Sequence, residues 1–207
     1  MGRKRYRKQP VMDLLGRCIG YECPEKGIMI QECEKSEADR IIIANHYSHK
    51  VAPNSFVSLL VLYHGKVSGA LQCGYGIRPK IKMGGVSPEM VREFDRMWLS
   101  DEMPKFSETI TLSLFHQYMR AAHPEVKVLI SYADTTVGNK GTIYRAANYK
   151  EMGRIKADFY QLPSGERIHP VSMWHRHKTR AWNFLQKQYE GIKHIRDGYQ
   201  LRFVYQL

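Results

Sequence analysis

Two periods of apolar positions run through the chain. Gly27–Glu32 (GIMIQE) alternates and reads as a short strand, and Ser36–Asn45 (SEADRIIIAN) has the apolar stripe of a helix. Ser36 is placed to cap that helix, with Glu37 and Asp39 in its first turn. His46–Asn54 is polar and reads as a loop. Phe56–Tyr63 (FVSLLVLY) is β-branched, aromatic and aliphatic, a buried strand that turns at His64-Gly65 into a second strand, Lys66–Tyr75. A Gly/Pro loop over Arg78–Pro88 leads to a third long strand, Val91–Leu99. Strict alternation there puts Phe94, Arg96 and Trp98 on one face and Glu93, Asp95, Met97 and Leu99 on the other. Ser107 opens a helix as its N-cap, with Ile110, Leu114, Tyr118 and Ala121 at helical spacing and Pro124 just past its end. An apolar strand, Val126–Ala133, follows, then a helix over Asn139–Asn148 opened by Gly138. Strand character returns from Lys150 through Tyr160, and a basic helix, His175–Tyr189, and a last strand, Tyr199–Tyr205, complete the pattern.

This order predicts an α/β (α+β) fold with a mixed, mainly antiparallel central sheet flanked by helices. Residues 1–25 read as a basic, irregular N-terminal arm, 26–162 as the core, and 163–207 as a basic extension of helix and strand that completes a single domain.

Composition narrows the partners. Of 207 residues, 32 are Lys or Arg and 20 are Asp or Glu, a formal net charge of +12. An excess of that size favours a polyanion, above all nucleic acid. The longest apolar run, FVSLLVLY, falls far short of the ~20 residues of a membrane helix, and the basic N-terminus has no signal-peptide stretch behind it. Cys18, Cys23, Cys33 and Cys73 without a secretion signal argue against a disulfide framework, and the second CxxC pair of a zinc knuckle is missing. The expected compartment is the reducing cytoplasm.

The strand–helix–three strands–helix–strand–helix–strand order resembles the GNAT acyltransferase fold, with its best local match at Val137–Tyr149 (VGNKGTIYRAANY). A narrower resemblance rests on Asn45-His46-Tyr47, on Arg96–Glu102 (RMWLSDE), on Ser107-Glu108-Thr109, and on Ser131–Asp134 (SYAD) with Gly141–Tyr149 (GTIYRAANY). In that order and spacing these blocks resemble the Mom family of bacteriophage and prophage proteins. They span about residues 45 to 153, roughly half the chain. The resemblance implies a GNAT-like enzyme in the cytoplasm of a bacterial host that adds a carbamoylmethyl group to the exocyclic N6 of adenine in duplex DNA, protecting phage DNA from restriction. It also implies that Tyr144 sits where many GNAT enzymes keep a proton-donating tyrosine. One departure stands out: the glycine loop that holds the acyl-CoA pyrophosphate is replaced by Leu99–Ser107 (LSDEMPKFS), which has no glycine and carries Asp101 and Glu102. The identity of the group donor stays open.

Adenine N6 is a poor nucleophile, so the chemistry needs a proton acceptor, an orienting group and an activated donor. Asp134, at the carboxyl end of a buried strand, is a candidate acceptor or equally the cap of the next turn. Tyr144 is a candidate acid or stacking group, and Tyr149 a supporting or packing one. His46 and Tyr47 are candidates from the polar loop; His46 with His49 and a remote carboxylate also has the composition of an iron site. Ser107, Arg96 and Asp101 are candidates for holding the donor. Reaching N6 in a duplex requires flipping the base. Arg3, Lys4, Arg5, Arg7 and Lys8, then Arg78, Lys80 and Lys82, then Arg176, Lys178 and Arg180 are candidate phosphate clamps; Trp174, Trp182, Tyr75 and Phe106 are candidate stacking surfaces. Two rival functions are an acyl-CoA-dependent N-acyltransferase acting on a small molecule or protein, and a non-catalytic DNA-binding protein. A homodimer is compatible with all three.

Overall fold

The computed structural model describes residues 6–76 and 85–207. The strands are β1 (Gln9–Met12), β2 (Cys18–Cys23), β3 (Ile28–Glu32), β4 (Ser55–Tyr63), β5 (Lys66–Gly74), β6 (Val91–Leu99), β7 (Val128–Asp134), β8 (Lys150–Lys156), β9 (Phe159–Gln161), β10 (Arg167–Ile168), β11 (Lys193–Ile195) and β12 (Tyr199–Gln206). The helices are α1 (Lys35–Asn45), α2 (Ser107–Ala122), α3 (Thr142–Ala146), α4 (Pro170–His177) and α5 (Trp182–Gln188). The chain forms two compact units: 1–132 with 142–151 and 203–207, and 133–141 with 152–202.

The first unit is built on a sheet in which β1 to β6 form an antiparallel meander and β7 joins β6 in parallel. The full strand order is β1-β2-β3-β4-β5-β6-β7-β12-β8, and β7, β8 and β12 each contribute residues to both units. The two long helices cover opposite faces. On one, Ala38 and Ile42 of α1 pack on Ala70 of β5. On the other, Phe115 of α2 meets Phe94 of β6 with ring centroids 5.3 Å apart, and Tyr144 lies against Phe94 and Phe203. Central strands buried on both faces explain the unbroken apolar runs of β4 and β7.

Several expectations need correction. Residues 6–25 are not irregular: β1 and β2 form a hairpin that extends the sheet. The cap of α1 is Glu34, in a reciprocal box with Glu37, rather than Ser36. The N-cap position of α2 is Phe106, in a left-handed conformation at φ 71°, and Ser107 is the first helical residue. The helix expected over 139–148 is a 3-10 turn, Thr135–Val137, followed by the single turn of α3.

The alternation expected along β6 is interrupted. Gln72 pairs with Arg96 but Cys73 pairs with Phe94, so Asp95 is an extra, bulged residue. Phe94 and Arg96 therefore face opposite sides of the sheet: Phe94 toward α2, and Arg96 with Gln72 toward α1.

The second unit holds a three-stranded sheet in the order β10-β9-β11. Its core is Tyr160, Leu162, Ile168, Met173, Leu185 and Ile192. The single basic helix expected over 175–189 is two helices, broken where Lys178 adopts φ 57° at the C-cap of α4.

Candidate active site

β6 and β7 pair in parallel from Val91↔Val128 to Glu93↔Ile130, and beyond Glu93 no pairing joins them among the described residues. Ser131 spans the start of this divergence, its hydroxyl donating to Phe94 O at 2.9 Å. Tyr144, on α3, is buried here. Burial pushes its phenol up to about 12, against a hydrogen bond with Ser131; Tyr47, Arg96 and Glu93 act on it electrostatically. Four sequence candidates thus share one neighbourhood. Tyr144 feels Tyr47 and Arg96, and Arg96 in turn acts on His46.

His46 follows α1 directly, as its C-cap. Burial, then the charges of Arg96 and His49, push its imidazole down to about 4, so it is neutral at physiological pH. The Ser48 backbone N–H donates to Nδ1 at 3.2 Å. Nδ1 is therefore an acceptor, and the ring proton sits on Nε2. Tyr47 leans on this ring at 4.2 Å and keeps an exposed face. His49 Nδ1 lies 2.8 Å from Ile43 O. Among the described residues no three His, Cys, Asp or Glu side chains gather as a metal site around His46 and His49. All four cysteines are free thiols.

Arg96 donates to backbone carbonyls. Its Nε donates to Lys50 O at 3.1 Å and one terminal nitrogen to Asp95 O at 2.7 Å, tying the His46–Asn54 loop to β6. The group that alternation concealed is Asp95. Its Oδ2 is buried and accepts no hydrogen bond. Burial, then the neighbouring Glu93, push this carboxyl up to about 7, against the pull of Arg96. Glycines make the room: a β-carbon on Gly74 would stand 2.5 Å from Asp95 Oδ2 and 2.6 Å from Asn54 O, and one on Gly76 2.6 Å from Glu93 Oε2. Two β6 carboxylates beside the end of β5, one with a buried oxygen that accepts no hydrogen bond, offer a proton acceptor at neutral pH.

The remaining candidates have other partners. Asp134 belongs to the second unit. Its carboxylate caps the following turn at Thr136 N (2.9 Å) and pairs with Arg167 at 3.0 Å. Ser107 donates to Pro104 O at 2.6 Å. Asp101 is exposed in the turn after β6. Tyr149 is a core residue, its hydroxyl 3.0 Å from His116 Nε2, and His116 stacks on Tyr205 at 3.8 Å.

Of the basic candidates, Arg3, Lys4, Arg5, Arg78, Lys80 and Lys82 lie outside the described residues. Lys8 donates to Ser113 and the Arg7 side chain is exposed. Arg176 pairs with Glu166 at 3.1 Å, Lys178 lies over the Trp174 ring at 5.2 Å, and Arg180 is exposed. Trp174, Trp182, Tyr75 and Phe106 all keep exposed surface.

Known proteins match this arrangement at two levels. The chain overlays on ribosomal-protein-S5-alanine acetyltransferase from Vibrio fischeri with a TM-score of 0.52 and 8% identity, covering 91% of this chain and 96% of that one. A structure from Acinetobacter baylyi described as an acetyltransferase gives 0.50 and 12%, covering 87% and 92%. At such identities the likeness establishes the GNAT-like fold alone. In sequence, the chain is 32% identical to the methylcarbamoylase Mom of Escherichia phage Mu over 169 residues, 80% of this chain and 69% of that protein. The model of the Mom protein family matches residues 27–207, a span that takes in α1, the His46 loop, the bulged β6 and Tyr144. A GNAT-like sheet carrying these residues over nearly its whole length places the chain in the Mom protein family.

Proposed function

We propose that this chain is a transferase that modifies adenine in DNA, joining a carbamoylmethyl group to the exocyclic N6. The observation that carries the reading is the electrostatic linkage of Tyr144, Tyr47, His46 and Arg96, with Asp95 next to Arg96 in β6 and its Oδ2 without a hydrogen-bond partner, in a chain of the Mom family. The adenine leaves the stack to reach this site. Asp95 accepts a proton from N6 as the N6–C bond forms and the bond from that carbon to the donor's leaving group breaks. Tyr144, held protonated by burial, gives its proton to the leaving group. His46 donates a hydrogen bond through Nε2–H and Tyr47 supplies a stacking face. Arg96 holds the loop that carries both. Bulk on N6 projects into the major groove, where adenine is read, and shields the DNA from restriction.

The second unit supplies phosphate contacts through Lys178 and Arg180. It contains eleven Lys and Arg against five Asp and Glu, an excess of six in 60 residues.

The test is to express the chain in a bacterium, digest the host DNA to nucleosides and weigh them. An adenine nucleoside heavier by a carbamoylmethyl group, lost in Asp95→Asn and Tyr144→Phe, supports the reading. Unmodified DNA from cells holding abundant protein overturns it.

A further inference from the structure

The most exposed apolar side chains among the described residues stand at the tip of the β1–β2 hairpin. Leu14 is fully exposed, Leu15 is 94% exposed, and Met12 beside them is half exposed. The tip is braced rather than loose. Asp13 N donates to Arg17 O at 2.9 Å and Gly16 N to Asp13 O at 3.0 Å. The Asp13 carboxylate accepts from Leu15 N at 2.9 Å and from Arg17 N at 2.8 Å. The Arg17 guanidinium clamps Asp13 and, at 3.0 Å, Glu32 of β3. A turn this well bonded holds two isobutyl groups in water at a fixed place, which marks a contact surface.

Charge identifies what fits it. The chain carries a net charge of +12, and residues 6–26 hold four Lys and Arg against three Asp and Glu. Arg7 is exposed on the segment entering β1, and Lys26 lies over the Tyr6 ring at 4.5 Å near the far end of the hairpin. A partner that meets cations on its surface and takes apolar groups into a slot is duplex DNA: phosphates outside, stacked base steps within. A second copy fits poorly, because the chain carries a net charge of +12 and two leucines fall far short of the roughly 800 Å² per partner of a stable interface.

Register places the tip at the same end of the sheet as the candidate site. Arg96 pairs with Gln72 and Gln72 with Ser58; Cys33 N reaches Ser58 O, and the row runs on through β2 toward Cys18, whose partner is Met12. From β6 to β2 is four strand spacings, about 19 Å. At ~3.4 Å per base pair that is about five to six pairs along a duplex. The hairpin lies before residue 27, where the family match begins.

We propose that the Leu14–Leu15 turn is a wedge that enters a base step of the substrate duplex, kinking it several base pairs from the adenine presented to the site. This rests on the DNA-modifying reading above. The experiment uses the full chain and duplexes carrying the fluorescent base 2-aminopurine at successive positions. The wild type raises fluorescence at a discrete step, favouring flexible pyrimidine–purine steps. Leu14→Ala/Leu15→Ala removes most of that rise and weakens binding about tenfold, with the salt slope unchanged because no cation is lost. Leu14→Met/Leu15→Met, which keeps the apolar bulk, restores both. Equal unstacking by the alanine variant overturns the wedge, as does a variant defect confined to self-association in sedimentation or to binding of anionic phospholipid vesicles. Modified host DNA without any unstacking sinks the wedge and leaves the proposed reaction standing. Unstacking without modification does the reverse.

Discussion

The carboxyl of Asp95, packed beside Gly74, Asn54 and Glu93, has consequences for stability and catalysis that pull in opposite directions. Its folded value of about 7 lies above the ordinary 3.8. The sign follows: this group favours the fold fully below about pH 3.8, and that contribution is lost as pH rises through 7. Asp95→Asn therefore melts higher than wild type at pH 8, the gain fading as pH falls below 7 and vanishing near 4, while adenine modification drops by about 100-fold or more. Melting curves across pH, set against nucleoside analysis, check both halves. Gly74→Ala should lose modification without removing any ionisable group. Its β-carbon meets Asp95 Oδ2 and Asn54 O, and the forced shift costs about 1–3 kcal/mol, readable by urea unfolding. Acid acts through the histidines. Burial, the largest cause for both, holds His116 down at about 3 and His46 at about 4, below their ordinary 6.5. Their contribution is present above pH 6.5 and is lost as pH falls toward those values. Replacing His116 alone by Phe strands the Tyr149 hydroxyl, at a cost of about 1–3 kcal/mol. Adding Tyr149→Phe should recover much of that and flatten the acid limb of the melting curve. At this scale the sequence pointed to His46, Tyr47 and Tyr144 through motif order. It misplaced Asp95, because a one-residue bulge shifts the faces of a strand without altering composition. The signal was nearby in Gly74 and Gly76, small residues that mark a close approach at the end of β5.

Among the elements, the long strands and α2 were legible because their apolar periods are unambiguous. β1 and β2 were not: short strands of half-buried residues carry little periodicity, and basic flanking residues mask it. The break between α4 and α5 was hidden for another reason. Lys178 is an unremarkable helix former, yet it takes the left-handed C-cap position that glycine fills at least cost. That yields a prediction in which stability and binding separate. Lys178→Gly relieves roughly 1 kcal/mol of backbone strain and raises the melting temperature. It also removes a cation, so DNA affinity falls and the logarithmic salt slope shrinks by about one, measured by titrating a duplex at several salt concentrations. An unchanged slope would take Lys178 out of the phosphate-contacting set. At α1, Glu37→Ala removes one arm of the capping box and should cost about 1 kcal/mol.

For the whole molecule, net charge was readable from composition, but its distribution was not. Half of the +12 resides in the second unit, under a third of the chain. The division into units was equally out of reach, because the chain leaves the first unit at residue 133, returns for 142–151, and rejoins it at 203. Helix and strand periods report local packing and are blind to such returns. Phe203, fully buried against Tyr144, belongs to this last segment. Shortening the chain to end at Arg202 should therefore cost the first unit its cooperative unfolding, followed by circular dichroism on heating. The same threading sets an order of events during synthesis. A chain made from its N-terminus ordinarily completes its domains in the order in which they are encoded. Here every residue of the second unit leaves the ribosome before the first unit receives Phe203, so the unit that begins first finishes last. A ribosome stalled just short of that codon would carry a main sheet still lacking its final strand segment, with Tyr144 missing a wall of its pocket and no formed site at which a nascent chain could act.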